Sequence, residues 1–232
     1  MIKSYVKRLG KFTTAQKSAY NLFAKNYIIP FSEEHLDFAK IFSNNDVGNV
    51  GNIASVADLS VTMEIGFGSG IATAEIAYAN PDKNYLGIEV HRPGIGRLLR
   101  EIEERPLKNV RIIEHDAVQV VDKMIPQNCL DAIHIFFPDP WPKKRHNKRR
   151  LIQRPFTNSL AGCLKPGGYL YMATDWEDYA NHALEELTET VSLRNVYTNF
   201  AEPQSWRPKT RFEEKGLAQG HNICELMFKR EI

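Results

Sequence analysis

Residues 61–70 read VTMEIGFGSG and join a short β-branched run to three closely spaced glycines. The run predicts a buried strand, and residues 71–78 after the glycines predict a helix that ends before Asn80 and Pro81. Glycines at such a turn let the backbone bend sharply and approach a ligand closely. The helix N-terminus that follows favours an anionic group. This strand, turn and helix predict a cofactor site in an α/β protein.

The glycine spacing separates the cofactor classes that use such a turn. A P-loop ends in Gly-Lys-Ser/Thr, which is missing here, and the dinucleotide fingerprint is G-x-G-x-x-G. Here Gly66, Gly68 and Gly70 give G-x-G-x-G, with Glu64 two residues before the first glycine. An acid at a strand tip opposes a pyrophosphate but suits an ammonium. S-adenosylmethionine carries an ammonium, a carboxylate and no phosphate.

Two more acids follow the next two predicted strands. Glu89 lies about 20 residues beyond the glycines, where an acid accepts hydrogen bonds from ribose hydroxyls. Asp116 follows the third strand, where an acid can accept from an adenine amino group. Each acid alone is as well explained by a helix cap, and Asp116 before Ala117 suits one. Three acids at three successive strand ends favour a shared cofactor role.

From residue 59 onward, short apolar runs alternate with helical stretches. The predicted strands are 61–65, 85–90, 110–114, 131–137, 169–174 and 223–228, and the predicted helices are 71–78, 94–104, 117–124, 149–163 and 178–190. Pro155 implies a kink or a later start in the fourth of these helices. The βαβα alternation predicts a doubly wound, parallel α/β sheet with its ligand beyond the carboxyl ends of the strands.

The composition indicates a globular protein from a reducing compartment. The 232 residues are 43% hydrophobic with a net charge of only +2, which excludes a global basic field as the main reason for binding nucleic acid. Three scattered cysteines and unpaired histidines favour neither disulfides nor a metal site. The sequence has no secretory signal and no apolar run near the ~20 residues of a membrane helix, so we expect a cytoplasmic protein.

The charge is nevertheless segregated along the chain. No acid precedes Glu33, whereas six lysines and arginines do. We therefore expect residues 1–57, which are turn-rich at 44–49, to form a basic and partly flexible extension to a domain at 58–232. Residues 143–150 contain six basic side chains and no acid, and a phosphate backbone is their natural partner.

Residues 136–142 read FFPDPWP and follow the fourth predicted strand. Three prolines around Asp139 make a stiff loop that presents the carboxylate and proline carbonyls as acceptors. Trp141 could stack on a base, although a buried aromatic at the sheet edge is its more usual role.

The segments TDW at 174–176 and WRPKTRFE at 206–213 combine polar, charged and aromatic residues, as binding loops do. The second also fits an ordinary surface loop.

Together these motifs resemble those of the bacterial-type tRNA (guanine-N7)-methyltransferase family. The highly specific part is FFPDPWPKKRHNKRR at 136–150, joined by 64–70, 87–91, 115–117, 174–176 and 207–213. The resemblance implies a class I S-adenosylmethionine-dependent methyltransferase fold at 58–232. This fold is Rossmann-like, with a mostly parallel seven-stranded sheet and an antiparallel C-terminal strand. It further implies methyl transfer from S-adenosylmethionine to N7 of a guanosine in the tRNA variable loop.

The resemblance also implies roles for individual residues. Cofactor contacts are expected from Glu64, Glu89, Asp116 and Asp139, with Asp139 also catalytic, and substrate contacts from Lys143, Asp175, Thr210 and Glu213. To these we add Gly66, Gly68 and Gly70 on the cofactor side, and Arg211 and Phe212 on the substrate side. RNA backbone contacts are expected from Lys144, Arg145, Lys148, Arg149 and Arg150. The partner is tRNA, and the protein is expected to be a monomer or homodimer.

The implied chemistry needs no base, because guanine N7 already has a free lone pair. Asp139 would favour the positive charge that develops on the ring, and Asp175 and Glu213 would accept from guanine N1–H and N2–H. Three alternatives stay open. One is methylation of an exocyclic amine, since Asp139-Pro140-Trp141 resembles the Asx-Pro-Pro-aromatic loop. The others are a non-catalytic RNA-binding module and a small-molecule methyltransferase, which would leave the basic run unexplained.

Overall fold

A computed structural model describes residues 4–5, 10–42, 59–105 and 107–231 of the chain. Its strands are β1 (Val61–Ile65), β2 (Asn84–Ile88), β3 (Val110–Ile113), β4 (Leu130–Phe136), β5 (Leu164–Thr174), β6 (Leu193–Asn195) and β7 (Cys224–Arg230). They form one seven-stranded sheet in the order β3-β2-β1-β4-β5-β7-β6. The pairs among β1 to β5 are parallel, whereas β7 runs antiparallel to both β5 and β6. The predicted mixed sheet is confirmed.

Helices cover both faces of this sheet. They are α1 (Thr14–Tyr27), α2 (Phe38–Phe42), α3 (Ile71–Ala79), α4 (Arg92–Glu104), α5 (Ala117–Lys123), α6 (Phe156–Cys163), α7 (Glu177–Thr188) and α8 (Arg211–Ala218), with a 3₁₀ helix at Lys144–Arg149. None of the helices in the described ranges combines the length and the apolar content that a membrane crossing requires.

Strand β1 shows how the sequence produces the two layers. Successive side chains of a strand face opposite sides of the sheet. Met63 and Ile65 pack with the core on one side, and Glu64 faces the side that carries α3. Because helices cover both faces, all five residues of β1 are buried.

The predicted elements from 61–137 agree with the structure to within two residues at each end. Strand β5 begins at Leu164, five residues earlier than predicted. The helix predicted over 149–163 begins only at Phe156, because Pro155 lacks an N–H and disfavours helix in the residue before it. Helices α1, α2 and α8 and strand β6 had no counterpart in the sequence prediction.

The described part of the N-terminal segment packs against the sheet domain. Thr13 caps α1 in a reciprocal capping box with Gln16. Helix α1 lies so close to α4 that a Cβ on Gly96 would come within 2.6 Å of the Gln16 carbonyl oxygen. Ile28 then forms a parallel bridge to Ile112 of β3. Residues 44–49 and the expected boundary at residue 57 lie outside the described residues, so the two-part division stays a prediction.

Candidate active site

The carboxyl ends of the five parallel strands bring the predicted acids to one edge of the sheet. Asp116 follows β3, Glu89 follows β2, Glu64 lies in β1, Asp139 follows β4 and Asp175 follows β5. Since the sheet order is β3-β2-β1-β4-β5, these acids follow one another along the edge. At about 4.8 Å between strands, they span about 20 Å. We call these five side chains the carboxylate row.

The glycine loop sits in the middle of this edge. Gly66, Gly68 and Gly70 have φ of 75°, 58° and 69°, a left-handed conformation that residues with a Cβ rarely adopt. A Cβ on Gly94 in the first turn of α4 would overlap the carbonyl oxygen of Gly68. A Cβ on Gly66 would meet no atom within 4 Å. The backbone at Gly66 is therefore open to a ligand, while α4 supports the loop from behind.

Glu89 connects the loop to the tip of β2. Its Oε2 accepts from the Gly68 N–H at 2.8 Å, and its Oε1 accepts from the N–H groups of Val90 and His91 at 2.6 and 2.9 Å. Burial raises the pKa of Glu89, and these three backbone donors act against that rise. The carboxylate is thus held rigidly next to the loop.

Glu64 is the most buried acid of the carboxylate row, with 4% of its surface exposed. Its Oε2 accepts from the Thr73 hydroxyl at 2.8 Å. Burial raises the pKa of Glu64 to about 7; the Thr73 hydrogen bond lowers it, and the nearby Glu89 charge raises it further. A buried carboxyl with this pKa is well suited to ionise when a cation binds beside it.

The raised pKa of Glu64 predicts a pH dependence of stability. Unfolded Glu64 releases its proton near pH 4.5, but the folded protein retains it to about pH 7. Wild-type stability should therefore fall as pH rises through this window and level off above it. We expect Glu64→Gln to remove the part of this fall that Glu64 causes and to stabilise the unliganded protein by roughly 3 kcal/mol at pH 8; the raised pKa of Glu89 contributes the remainder. Chemical denaturation at pH 5, 6, 7 and 8 measures this.

The exposed Glu75 of α3 provides a matched control. Glu75→Gln removes a carboxyl from this helix without touching Glu64, so the fall in stability that Glu64 causes should persist in this variant. Parallel profiles for wild type and Glu64→Gln would contradict the assigned pKa.

Asp116 serves as the N-cap of α5. Its Oδ1 accepts from the N–H groups of Val118 and Gln119 at 2.9 and 3.3 Å, so the helix-cap alternative is observed. The N-terminal segment closes in around this strand tip, because the Phe31 ring stacks on His115 with centroids 3.8 Å apart. Sequence reasoning did not place Phe31 at the site, since its neighbour lies 84 positions further along the chain.

The proline loop around Asp139 is held in an unusual backbone conformation. Phe137 and Trp141 have φ of 49° and 47°, which is strained for residues with large side chains. The Phe137 N–H donates to the Ala173 carbonyl at 2.8 Å, and Arg150 Nε donates to the Pro140 carbonyl at 3.1 Å. The half-buried Asp139 is thereby placed between two fixed points.

Trp141 is engaged within the protein. Its indole N–H donates to the Ser4 carbonyl at 2.9 Å, and the Arg149 guanidinium lies 3.9 Å from the centroid of its ring. The structure thus gives Trp141 a role in packing against the N-terminal segment.

The basic run directly follows the proline loop. Lys143, Lys144, Arg145 and Lys148 are exposed, and Arg149 is partly exposed. The predicted RNA backbone contact of Arg150 is wrong. Only 2% of its side chain is exposed, and the guanidinium pairs with Asp178 and lies over the Tyr179 ring. It supports the proline loop and cannot reach an RNA backbone.

The predicted substrate residues at 210–213 form the start of α8. The Thr210 hydroxyl accepts from the Glu213 N–H at 3.2 Å as the N-cap. Arg211 is exposed, and Phe212, 56% exposed, lies 3.9 Å from the position of a Cβ on Gly68. A Cβ on Gly216 would lie 2.8 Å from the Asp175 carboxylate. The start of α8 therefore borders both the glycine loop and the end of β5.

The structure does not place Glu213 as the expected acceptor for guanine N1–H and N2–H. It is buried, and both of its carboxylate oxygens accept from the Arg207 guanidinium. This arrangement opposes a direct contact between Glu213 and guanine. Sequence reasoning assigned no role to Arg207, although it lies in the family-like segment 207–213.

A doubly wound sheet of this order, with a glycine loop after β1 and acids at the following strand ends, defines a class I S-adenosylmethionine-dependent methyltransferase. The 16S rRNA methyltransferase KamB shares the fold, with a TM-score of 0.59 and 14% identity over 86% of this chain and 95% of that one. An rRNA methylase from Streptococcus thermophilus has a TM-score of 0.51 at 12% identity, over 76% and 92% of the two chains.

Sequence comparison defines the family. The family model described as "Putative methyltransferase" matches residues 58–226. The tRNA (guanine-N(7)-)-methyltransferase of Ralstonia pickettii is 46% identical over 229 residues, 99% of this chain and 84% of that protein. That of Nitrosomonas europaea is 47% identical over 229 residues, 99% and 96%. The chain belongs to the tRNA (guanine-N7)-methyltransferase family, whose methyl donor is S-adenosylmethionine.

Within the described ranges, no three histidine, cysteine, aspartate or glutamate side chains cluster so as to hold a metal ion.

Proposed function

We propose that this protein transfers a methyl group from S-adenosylmethionine to N7 of a guanosine in the variable loop of tRNA. The observation that carries the proposal is the position of the exposed basic run, which begins directly after the loop of Asp139, the fourth acid of the carboxylate row. The loop of Asp139 thus joins the carboxylate row, which suits a cationic donor, to the basic run, which suits phosphates. The methyltransferase unit is residues 58–232, and the protein acts in the cytoplasm as a monomer or homodimer.

The residues at the sheet edge fit the donor. The open backbone at Gly66 and the left-handed glycines leave room for its amino-acid end, and the buried Glu64 carboxyl suits its ammonium. Glu89 lies at the β2 tip, where an acid accepts from ribose hydroxyls. When bound, the donor supplies an electrophilic methyl group on a sulfonium.

The protein's own part in the reaction is positioning and charge. Asp139 is held by the strained proline loop, and its carboxylate favours the positive charge that builds up on the guanine ring. Asp175 accepts from the N1–H and N2–H edge, which adenine lacks. Lys143 and the exposed part of the basic run hold the phosphates.

Donor binding is expected to depend on pH through Glu64. Because the pKa of this carboxyl is about 7, it is largely protonated at pH 6 and must lose its proton to pair with an ammonium. The dissociation constant for S-adenosylmethionine should therefore be roughly five- to tenfold larger at pH 6 than at pH 7.5. Calorimetry on wild type and Glu64→Gln checks this, since the variant should bind weakly at both values. Equal wild-type affinity at both pH values would contradict the role of Glu64.

The function is tested by incubating the protein with unmodified tRNA and methyl-labelled donor, followed by digestion to nucleosides. The expected product is 7-methylguanosine. Label in an N-methylated exocyclic amine would instead favour the amine methyltransferase, and absence of label despite tRNA binding would favour an RNA-binding module.

A further inference from the structure

Arg207 is the centre of a buried ion network for which the reaction described above has no use. Its guanidinium donates to both oxygens of Glu213, at 2.6 and 3.2 Å, and Nε donates to Oε1 of Glu225 at 3.1 Å. The side chains of Arg207, Glu213 and Glu225 are only 4%, 8% and 2% exposed. The Tyr171 hydroxyl donates to the second oxygen of Glu225. Every oxygen of the two carboxylates is therefore engaged.

The network combines a charged guanidinium with a neutral hydroxyl. Burial acts to lower the pKa of Arg207, but the hydrogen bonds that its guanidinium donates to Glu213 and Glu225 outweigh this effect and raise the pKa. Burial and the bond to Glu225 raise the pKa of Tyr171, so its hydroxyl stays a donor. Two buried carboxylates thus share one guanidinium. Desolvating such charges is costly, so a network of this kind is weak evidence for stability.

The network connects three elements that border the site. Glu225 lies on β7, Glu213 lies in the first turn of α8, and the Arg207 guanidinium lies 6.0 Å from the centroid of the Phe137 ring. Phe137 is the left-handed residue two positions before Asp139. Arg207 therefore contacts the start of α8, strand β7 and the Phe137 ring at the start of the proline loop.

Helix α8 has little freedom to shift without disturbing the site. A Cβ on Gly216 would lie 2.8 Å from the Asp175 carboxylate, and Phe212 lies next to Gly68. A small movement of α8 would therefore change its contacts with the end of β5 and the glycine loop.

We propose that Arg207 is a positioning residue for methyl transfer: by holding Glu213 against Glu225, it sets the gap between the start of α8 and the loop of Asp139 that receives the guanine. The inference rests on the proposed function. It requires arginine, because a planar guanidinium can pair with two carboxylates at once, whereas lysine offers a point charge.

The test is Arg207→Lys, which keeps the positive charge and removes the planar guanidinium that donates to both glutamates. We expect kcat/KM for tRNA to fall at least 30-fold, while the dissociation constant for S-adenosylmethionine stays within twofold and circular dichroism stays unchanged. The control is Arg154→Lys. Arg154 also pairs with two glutamates, Glu186 and Glu189, but its side chain is 42% exposed. This control should change kcat/KM less than twofold.

A second variant, Glu225→Gln, retains the volume of the side chain and weakens the anchor on β7. It should lower kcat/KM about fivefold, and combining it with Arg207→Lys should add little, because both changes disrupt one linkage. Wild-type kinetics in either single variant, or fully additive losses, would overturn the inference.

Amide hydrogen exchange separates this inference from the proposed function. Arg207→Lys should speed exchange in α8 and leave α3 unchanged, whatever the substrate. Unchanged exchange in α8 would overturn the inference even if tRNA is methylated. A wild-type protein that leaves tRNA unmethylated, with exchange in α8 increased in the variant, would overturn the proposed function and the role in methyl transfer, but not the linkage of α8 to β7 through Arg207.

Discussion

Replacing Asp139 by alanine is expected to lower kcat for tRNA methylation by about 10²–10³-fold, the usual cost of losing one preorganised charge-stabilising group. The guanine ring becomes cationic as N7 takes up the methyl group, and the carboxylate on the strained loop favours that charge. Affinity for tRNA should stay within twofold, because the phosphates are held by the basic run outside the loop. Single-turnover kinetics and a filter-binding titration measure the two quantities separately.

Asp139→Asn separates charge from shape in this prediction. The amide keeps the size and an acceptor oxygen but lacks the negative charge, so we expect a loss nearly as large as with alanine. Asp82→Asn, an exposed acid at the amino edge of the sheet, is the matched control and should have full activity. Full turnover by Asp139→Asn would contradict an electrostatic role.

Removing the exposed charges of the basic run is expected to weaken tRNA binding about a hundredfold at low salt. The variant combines Lys144→Gln, Arg145→Gln and Lys148→Gln. Because each phosphate contact releases counterions, the slope of log K against log salt should become smaller in magnitude by about 2–3. Fluorescence titrations between 50 and 300 mM salt provide both values.

The control removes three exposed charges from the opposite edge of the sheet. Lys83 and Lys108 precede β2 and β3, and Lys229 lies opposite Tyr169 near the amino end of the parallel strands. Their replacement by glutamine should leave the salt slope unchanged. Equal slopes for wild type and the basic-run variant would show that tRNA binds elsewhere.

The parts of the fold that the sequence predicts are those set by local pattern. Strands β1 to β4 are apolar runs buried on both faces, and each is followed within a few residues by an acid or a glycine. Because these strands are parallel, their carboxyl ends share one edge of the sheet, but the position of β4 beside β1 does not follow from pairing consecutive strands. The acids at the strand ends were therefore accessible to sequence reasoning, whereas their order along the edge and their hydrogen bonds were not.

The features of the structure that the sequence does not predict depend on contacts between residues far apart along the chain. Arg150 looks like the end of a solvent-exposed charge run, but Asp178 and Tyr179 lie 28 and 29 positions later and draw it into the interior. Arg207 and Glu213 likewise look like surface charges until Glu225 is placed beside them. Helix α1 carries few strongly apolar residues, and its packing depends on the glycine at position 96 of α4.

The most direct test of the central claim, that the carboxylate row and the basic run together present one tRNA guanosine to the donor, is to map the methyl group on the tRNA. Reduction and aniline treatment cleave the chain at 7-methylguanosine, so a sequencing gel reads its position. We expect a single cleavage in the variable loop, which disappears when that guanosine is replaced by adenosine. Cleavage at another position, or methylated tRNA that resists cleavage, would contradict it.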